Sequence, residues 1–160
     1  MAPLTPYTTD LEGRDPVQAM ERSAPAIERL TMSWTPEEFE RASGPGKWSA
    51  RQILTHLAQT ELALGSRARM ALSMPGYVAQ NFDQDAWMAK EANLPGRDAV
   101  AALVAISRMN VSLFRALSDA ERRTAFSHPE YGALTVDWVI HQMAGHQIHH
   151  LTQLQHIAQR

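Results

Sequence analysis

The sequence predicts an all-α protein, a bundle of four long helices with short extra helices in the connections. Three observations carry that expectation. Apolar residues recur at three- and four-residue intervals in four long stretches. Three of those stretches open on residues that cap helix N-termini, Asp15, Ser49 and Thr135, while Pro75-Gly76 and Pro95-Gly96 punctuate the breaks. No segment alternates polar and apolar residues for long enough to make a convincing strand.

In chain order, Met1 to Gly13 holds two prolines and several threonines with little apolar pattern. It reads as an extended leader (residues 1–14), with the domain proper over residues 15–160. Asp15-Pro16 begins the first long helix, with proline at a position where no backbone donor is lost. That helix is predicted to reach about Thr31, with a kink at Pro25. Thr35-Pro36-Glu37-Glu38 repeats the start signal, with Glu38 placed for a capping box, and the piece that follows is short. Ser43 to Lys47 is a glycine–proline turn. Ser49 then opens the second long helix, Ser49 to Met74, with Ile53, Leu54, Leu57, Leu64 and Met70 on a helical period.

Beyond Pro75-Gly76, a helical turn is expected around Asp83 to Lys90, and the third long helix at about Asp98 to Leu117. Ser118-Asp119 starts another short turn, Pro129 to Ala133 is a loop, and Thr135 caps the last helix, which runs to Gln159. Trp48 is expected to pack the start of the second helix into the core. Trp34, Trp87 and Trp138 are core or pocket-wall candidates, and the Asp83 to Trp87 turn is a candidate lid.

Composition narrows the function. At 160 residues, with 44% hydrophobic and 20% charged residues, the chain can bury a core of its own. A formal net charge of −2 supplies no basic field for nucleic acid. No apolar run reads as a membrane span, and no basic-then-apolar signal opens the chain, so the expected location is cytoplasmic. The absence of cysteine excludes disulfides, a thiolate metal site and a cysteine nucleophile, leaving nitrogen and oxygen as donors for any metal.

The chemistry-bearing residues are histidines. His146 and His150 lie four apart on the last helix and project from one face, a geometry that lets two imidazoles close on one metal ion. Gln153 and Ile157 continue their stripe. His149 lies off one edge of it, and His141 points away. His56 sits on the second helix, where packing of the two helices could add a third nitrogen. Taken alone, the pair is more often a surface or core feature, and His56 a hydrogen-bonded core histidine. Gln147 occupies the place where a zinc-protease helix carries its general-base glutamate, and an amide cannot take that proton. Glu61 is offset from His56 by about 140° around the helix and is expected to be exposed or at the bundle edge. His128 and His141 are expected on the surface, His156 to favour the helix C-terminus, and the methionines to fill the core.

The segment Lys47-Trp48-Ser49-Ala50-Arg51-Gln52-Ile53-Leu54-Thr55-His56-Leu57 resembles the opening of the second helix in DinB/YfiT-like proteins. His146-Gln147-Ile148-His149-His150-Leu151-Thr152-Gln153 resembles that family's closing motif, and the two occur in the family's order. The resemblance implies that family's four-helix bundle and metal ligation by His56, His146 and His150. It further implies a divalent cation such as nickel or zinc, with water in the remaining positions, and a homodimer. Gln153 would hydrogen-bond behind the ligands or line the pocket, and His149 could hydrogen-bond near the site. Relatives include metal-dependent hydrolases and low-molecular-weight thiol S-transferases.

Three neutral imidazoles leave a cation its full charge, which acidifies bound water and would equally stabilise a thiolate. Hydrolysis and thiol S-transfer on a small-molecule substrate both follow, with S-transfer placed first because no base carboxylate is evident. A non-catalytic bundle tied together by a metal, and a dimerising interaction protein, are the alternatives. Ligation needs neutral imidazoles, so metal affinity is expected to fall as pH drops through roughly 6.

Overall fold

A computed structural model describes residues 2–159. Its elements are α1 (Thr8–Leu11), α2 (Pro16–Thr31), α3 (Pro36–Phe39), α4 (Ala50–Ser73), α5 (Gln84–Lys90), α6 (Gly96–Ala116), α7 (Asp119–Arg122), β1 (Ala125–His128), β2 (Gly132–Thr135) and α8 (Val136–Ala158). The helix starts follow side-chain capping. Asp15 accepts a hydrogen bond from the Gln18 N–H, and Thr135 accepts one from the Trp138 N–H. Thr35 with Glu38, and Ser49 with Gln52, complete reciprocal capping boxes. α2 continues through Pro25 as one helix, despite the donor that proline removes.

The four long helices form a ring in which α2 and α4 each pack on both α6 and α8. Consecutive long helices α2 and α4 therefore lie across the bundle diagonal, as do α6 and α8. The connections after α2 and α6 are long enough to make that crossing, and short pieces of secondary structure fill them.

Two apolar clusters fill the interior. One gathers Met20, Leu64, Phe114, Ile140 and Met143. The other gathers Ile27, Leu54, Leu57, Leu103, Leu154 and Ile157. Full burial of a side chain of this kind stabilises the fold by about 1.5–3 kcal/mol. Between the clusters each long helix turns polar side chains inward: Ser23 from α2, Glu61 from α4, Ser107 and Asn110 from α6, and His146, Gln147 and His150 from α8.

Three expectations change. The stretch before α8 contains an antiparallel hairpin, β1 with β2, pairing Phe126 with Leu134 and Ser127 with Ala133. The loop shrinks to residues between His128 and Gly132, and Gly132 takes a φ of 72° that favours glycine. The N-terminal residues are not wholly extended, because α1 lies against α8. Finally, α6 is long and apolar enough, by length and composition alone, to cross a membrane. Here it is a bundle helix, with Leu103, Ser107, Asn110 and Phe114 buried and Arg108 and Met109 outward.

Candidate metal centre

α4 and α8 pack side by side, and their contact brings the three histidines together. His146 Nε2 lies 3.0 Å from His56 Nε2 and 2.9 Å from His150 Nε2. One nitrogen from each ring falls within 4.8 Å of the others, and all three residues are buried. Among the described residues, no carboxylate joins this group.

Burial keeps these rings uncharged. Burial pushes the His56 imidazole down to about 4. His150 is also pushed to about 4, by burial first and then by the neighbouring His56. His146 is driven well below its ordinary value by burial and then by His150 and His56. All three are therefore neutral near pH 7, the state that offers a lone pair.

A hydrogen-bond chain selects which nitrogen offers it. His149 Nδ1 donates to Asp10 on α1 over 3.2 Å. His149 Nε2 accepts from the Gln153 amide at 3.1 Å, and Gln153 Oε1 accepts from His150 Nδ1 at 2.8 Å. With its proton held on Nδ1, His150 turns a bare Nε2 lone pair toward His146. Orienting partners of this kind are what metal-ligating histidines require. His56 lacks one: its Nδ1 is buried with no partner among the described residues. The donor set suits a divalent cation of intermediate softness, since imidazole nitrogen binds zinc, nickel, copper and iron.

Aromatic rings wall the cluster. The Tyr7 ring centroid lies 5.0 Å from that of His146 and 5.3 Å from that of His149. Gly145 permits this approach, because a Cβ there would meet the Tyr7 carbonyl oxygen at 2.5 Å. Trp48 is half-buried, packs against the apolar core as expected, and sets its ring 5.0 Å from the His56 ring, so it also shields the cluster. A cavity of about 290 Å³ opens at His150 and Gln153, bounded by Lys47, Trp48 and Ile53. Trp87 packs edge-on to Phe82 beside Leu62 and Ser66 on α4, away from the histidines, so the Asp83 to Trp87 turn is no lid over them.

One carboxyl group was misjudged from sequence. Glu61 is buried, not exposed. Its Oε1 accepts from Gln147 at 2.6 Å and its Oε2 from Asn110 at 2.9 Å, and burial raises its pKa to about 7. Gln147 also bonds Ser23 at 2.5 Å and Ser107 at 2.9 Å, so one amide links all four long helices. His128 is buried as well, its Nδ1 accepting from the backbone N–H of Glu130 within the hairpin turn. Tyr7, Asp10 and Lys47 were not anticipated at the site. Only contact across the chain places them there.

The DinB superfamily model matches residues 19–154, which include both histidine-bearing helices. The chain belongs to the DinB superfamily. Two proteins of Oceanobacillus iheyensis, each named a putative metal-dependent hydrolase, are similar to this DinB-superfamily chain. One is 29% identical over 119 residues, 74% of this chain and 69% of the relative. The other is 27% identical over 125 residues, 78% and 73%. YfiT from Bacillus subtilis, described as a probable metal-dependent hydrolase with an unusual four-helix bundle topology, has a solved structure that superposes with a TM-score of 0.82. That alignment covers 91% of this chain and 85% of YfiT at 20% identity, and it establishes the shared bundle.

Proposed function

We propose that this chain is a divalent-metal-dependent enzyme acting on a small molecule, with hydrolysis as its chemistry and His56, His146 and His150 as the ligands. The carrying observation is the convergence of three neutral ring nitrogens from two helices distant in sequence. Relatives named putative metal-dependent hydrolases support the same reading. Nickel and zinc suit the all-nitrogen donor set, and water is expected to complete the coordination. When bound, such a cation acidifies water at its open positions and polarises a substrate carbonyl.

This chain's residues then supply orientation and enclosure. Gln153 fixes the His150 tautomer, and His149 and Asp10 hold Gln153. Trp48 and Tyr7 limit solvent around the rings. The cavity at His150 favours a catalytic centre over a purely structural one, because a structural site closes its fourth position with protein.

Transfer of a low-molecular-weight thiol to an electrophile is the second reading. It is favoured by the lack of a carboxylate among the histidines, since a thiol gives up its proton to solvent far more readily than water does. A homodimer accompanies either reading. The deciding experiment offers zinc, nickel, iron and manganese separately, measures metal per chain, and assays each loaded form against ester, amide and thiol-conjugation substrates. Metal-dependent cleavage supports hydrolysis, conjugation without cleavage selects thiol transfer, and a loaded protein inert in all assays contradicts both.

A further inference from the structure

The cavity at the histidines has a charged rim that neither metal ligation nor the orienting chain uses. Residues Gly44 to Lys47 form a tight turn, with the Lys47 N–H donating to the Gly44 carbonyl at 3.2 Å. Pro45 occupies the second position, and Gly46 the third with a φ of 69°. That is the conformation in which proline and glycine are each preferred, so the turn is built and not merely flexible. Its product is the placement of Lys47 at the cavity mouth, directly before Trp48 and the start of α4.

Lys47 is exposed and forms no ion pair among the described residues. Among the described residues it is the only charged side chain on the cavity lining, which holds no carboxylate among them. Opposite lie His150 and Gln153, with Trp48 and Ile53 as the apolar wall. The positive end of α4 adds a field of the same sign. At about 290 Å³ the space sits at the lower limit of small-molecule sites.

We propose that this cavity binds small organic anions: a carboxylate or phosphate group pairs with Lys47, and a flat apolar portion lies against Trp48. This rests on the reading of the cavity as the substrate site, and it names the substrate class for that site. Electroneutral substrates of the same shape would lack the pairing. A solvent-exposed ammonium–carboxylate pair is worth up to about 1 kcal/mol, or roughly fivefold in affinity.

The test uses benzoate and its neutral isostere benzamide as probes, followed by amide and indole NMR shifts of the full chain. It is run on metal-free protein, so that a cation cannot contribute. Benzoate is expected to bind about fivefold tighter than benzamide, shifting the Trp48 indole signal. Lys47→Met should erase that preference without weakening benzamide, Lys47→Arg should keep it, and Lys47→Glu should reverse it. Equal binding of the two probes, no benzoate binding at tens of millimolar, or an unchanged preference in Lys47→Met would each overturn the proposal. Metal uptake, measured on a separate portion of the same protein offered zinc or nickel, separates the two ideas: protein that takes up no metal but discriminates through Lys47 sinks the metal centre and leaves the anion site standing.

Discussion

Two polar regions lie buried in the same bundle, centred on consecutive residues of α8, and they are finished differently. Around Gln147, every strong group has a partner: its amide bonds Ser23, Glu61 and Ser107, while Asn110 serves the other Glu61 oxygen and accepts from Arg69 at 2.7 Å. Around His146, three ring nitrogens face one another, and His56 Nδ1 has no partner. Burying polar groups is tolerable when they are satisfied and costly when they are not. The closed network therefore reads as structure, fixing the rotation of all four helices. The open cluster reads as a site whose satisfaction comes from a ligand.

The largest expected effect separates these roles. His56→Ala should abolish stoichiometric metal uptake while leaving the helical circular dichroism spectrum unchanged; full metal occupancy in this variant would remove His56 from the ligand set.

Gln147→Leu should do the reverse. It strands the Ser23 and Ser107 hydroxyls and one oxygen of Glu61, at a cost of about 3 kcal/mol. Urea denaturation measures this loss, and metal stoichiometry at low temperature should remain near that of the wild type. A Gln147→Leu chain of unchanged stability would show that the network does not hold the bundle.

Gln153→Ala probes the support of the open cluster, since Gln153 bonds His150 at Nδ1 and not at the nitrogen that faces His146. Loss of the Nδ1 acceptor should weaken metal binding about 10- to 100-fold, with little change in the stability of the metal-free chain. Calorimetric titration reads the affinity, and wild-type affinity would mean the tautomer is set by other means.

Acidity gives the finest distinction, because the two regions oppose each other. Burial holds His56 and His150 neutral to about 4, below the ordinary 6.5, so the unfolded chain binds more protons between those values. Stability from this region is full above 6.5 and is lost as pH falls toward 4. Glu61 is raised from 4.5 to about 7, so the folded chain binds the extra proton in that window. Its contribution is full below 4.5 and is lost as pH rises through 7. Relative to wild type, metal-free Glu61→Gln should gain stability between pH 4.5 and 7.5, read as a shift in urea midpoint. A constant difference would contradict the raised value. Metal uptake should also persist below pH 6, where the sequence alone led to an expected fall, since burial keeps these rings neutral further into acid than free imidazole.

Much of this was legible in the sequence. The caps at Asp15, Ser49 and Thr135 begin helices where expected. The four-residue spacing of His146 and His150, joined to the Trp48–His56 segment, anticipated the cluster. Glu61 was hidden because its angular offset from His56 matters only if a helix buries one face. α4 is buried on every residue from Ile53 to Glu61, enclosed by α6, α8 and α5. The β1–β2 hairpin escaped because four-residue strands carry too little alternation to register, although Phe126 and Leu134 are its buried pair. The roles of Tyr7, Asp10 and Lys47 depend on contacts that no local pattern encodes.

X-ray absorption at the metal edge of the zinc-loaded protein tests the central claim most directly. Three imidazole nitrogens on one cation predict a nitrogen or oxygen shell at about 2.0–2.1 Å, with the outer-carbon scattering of three rings. A shell without ring scattering, or with the scattering of fewer than three rings, would contradict it.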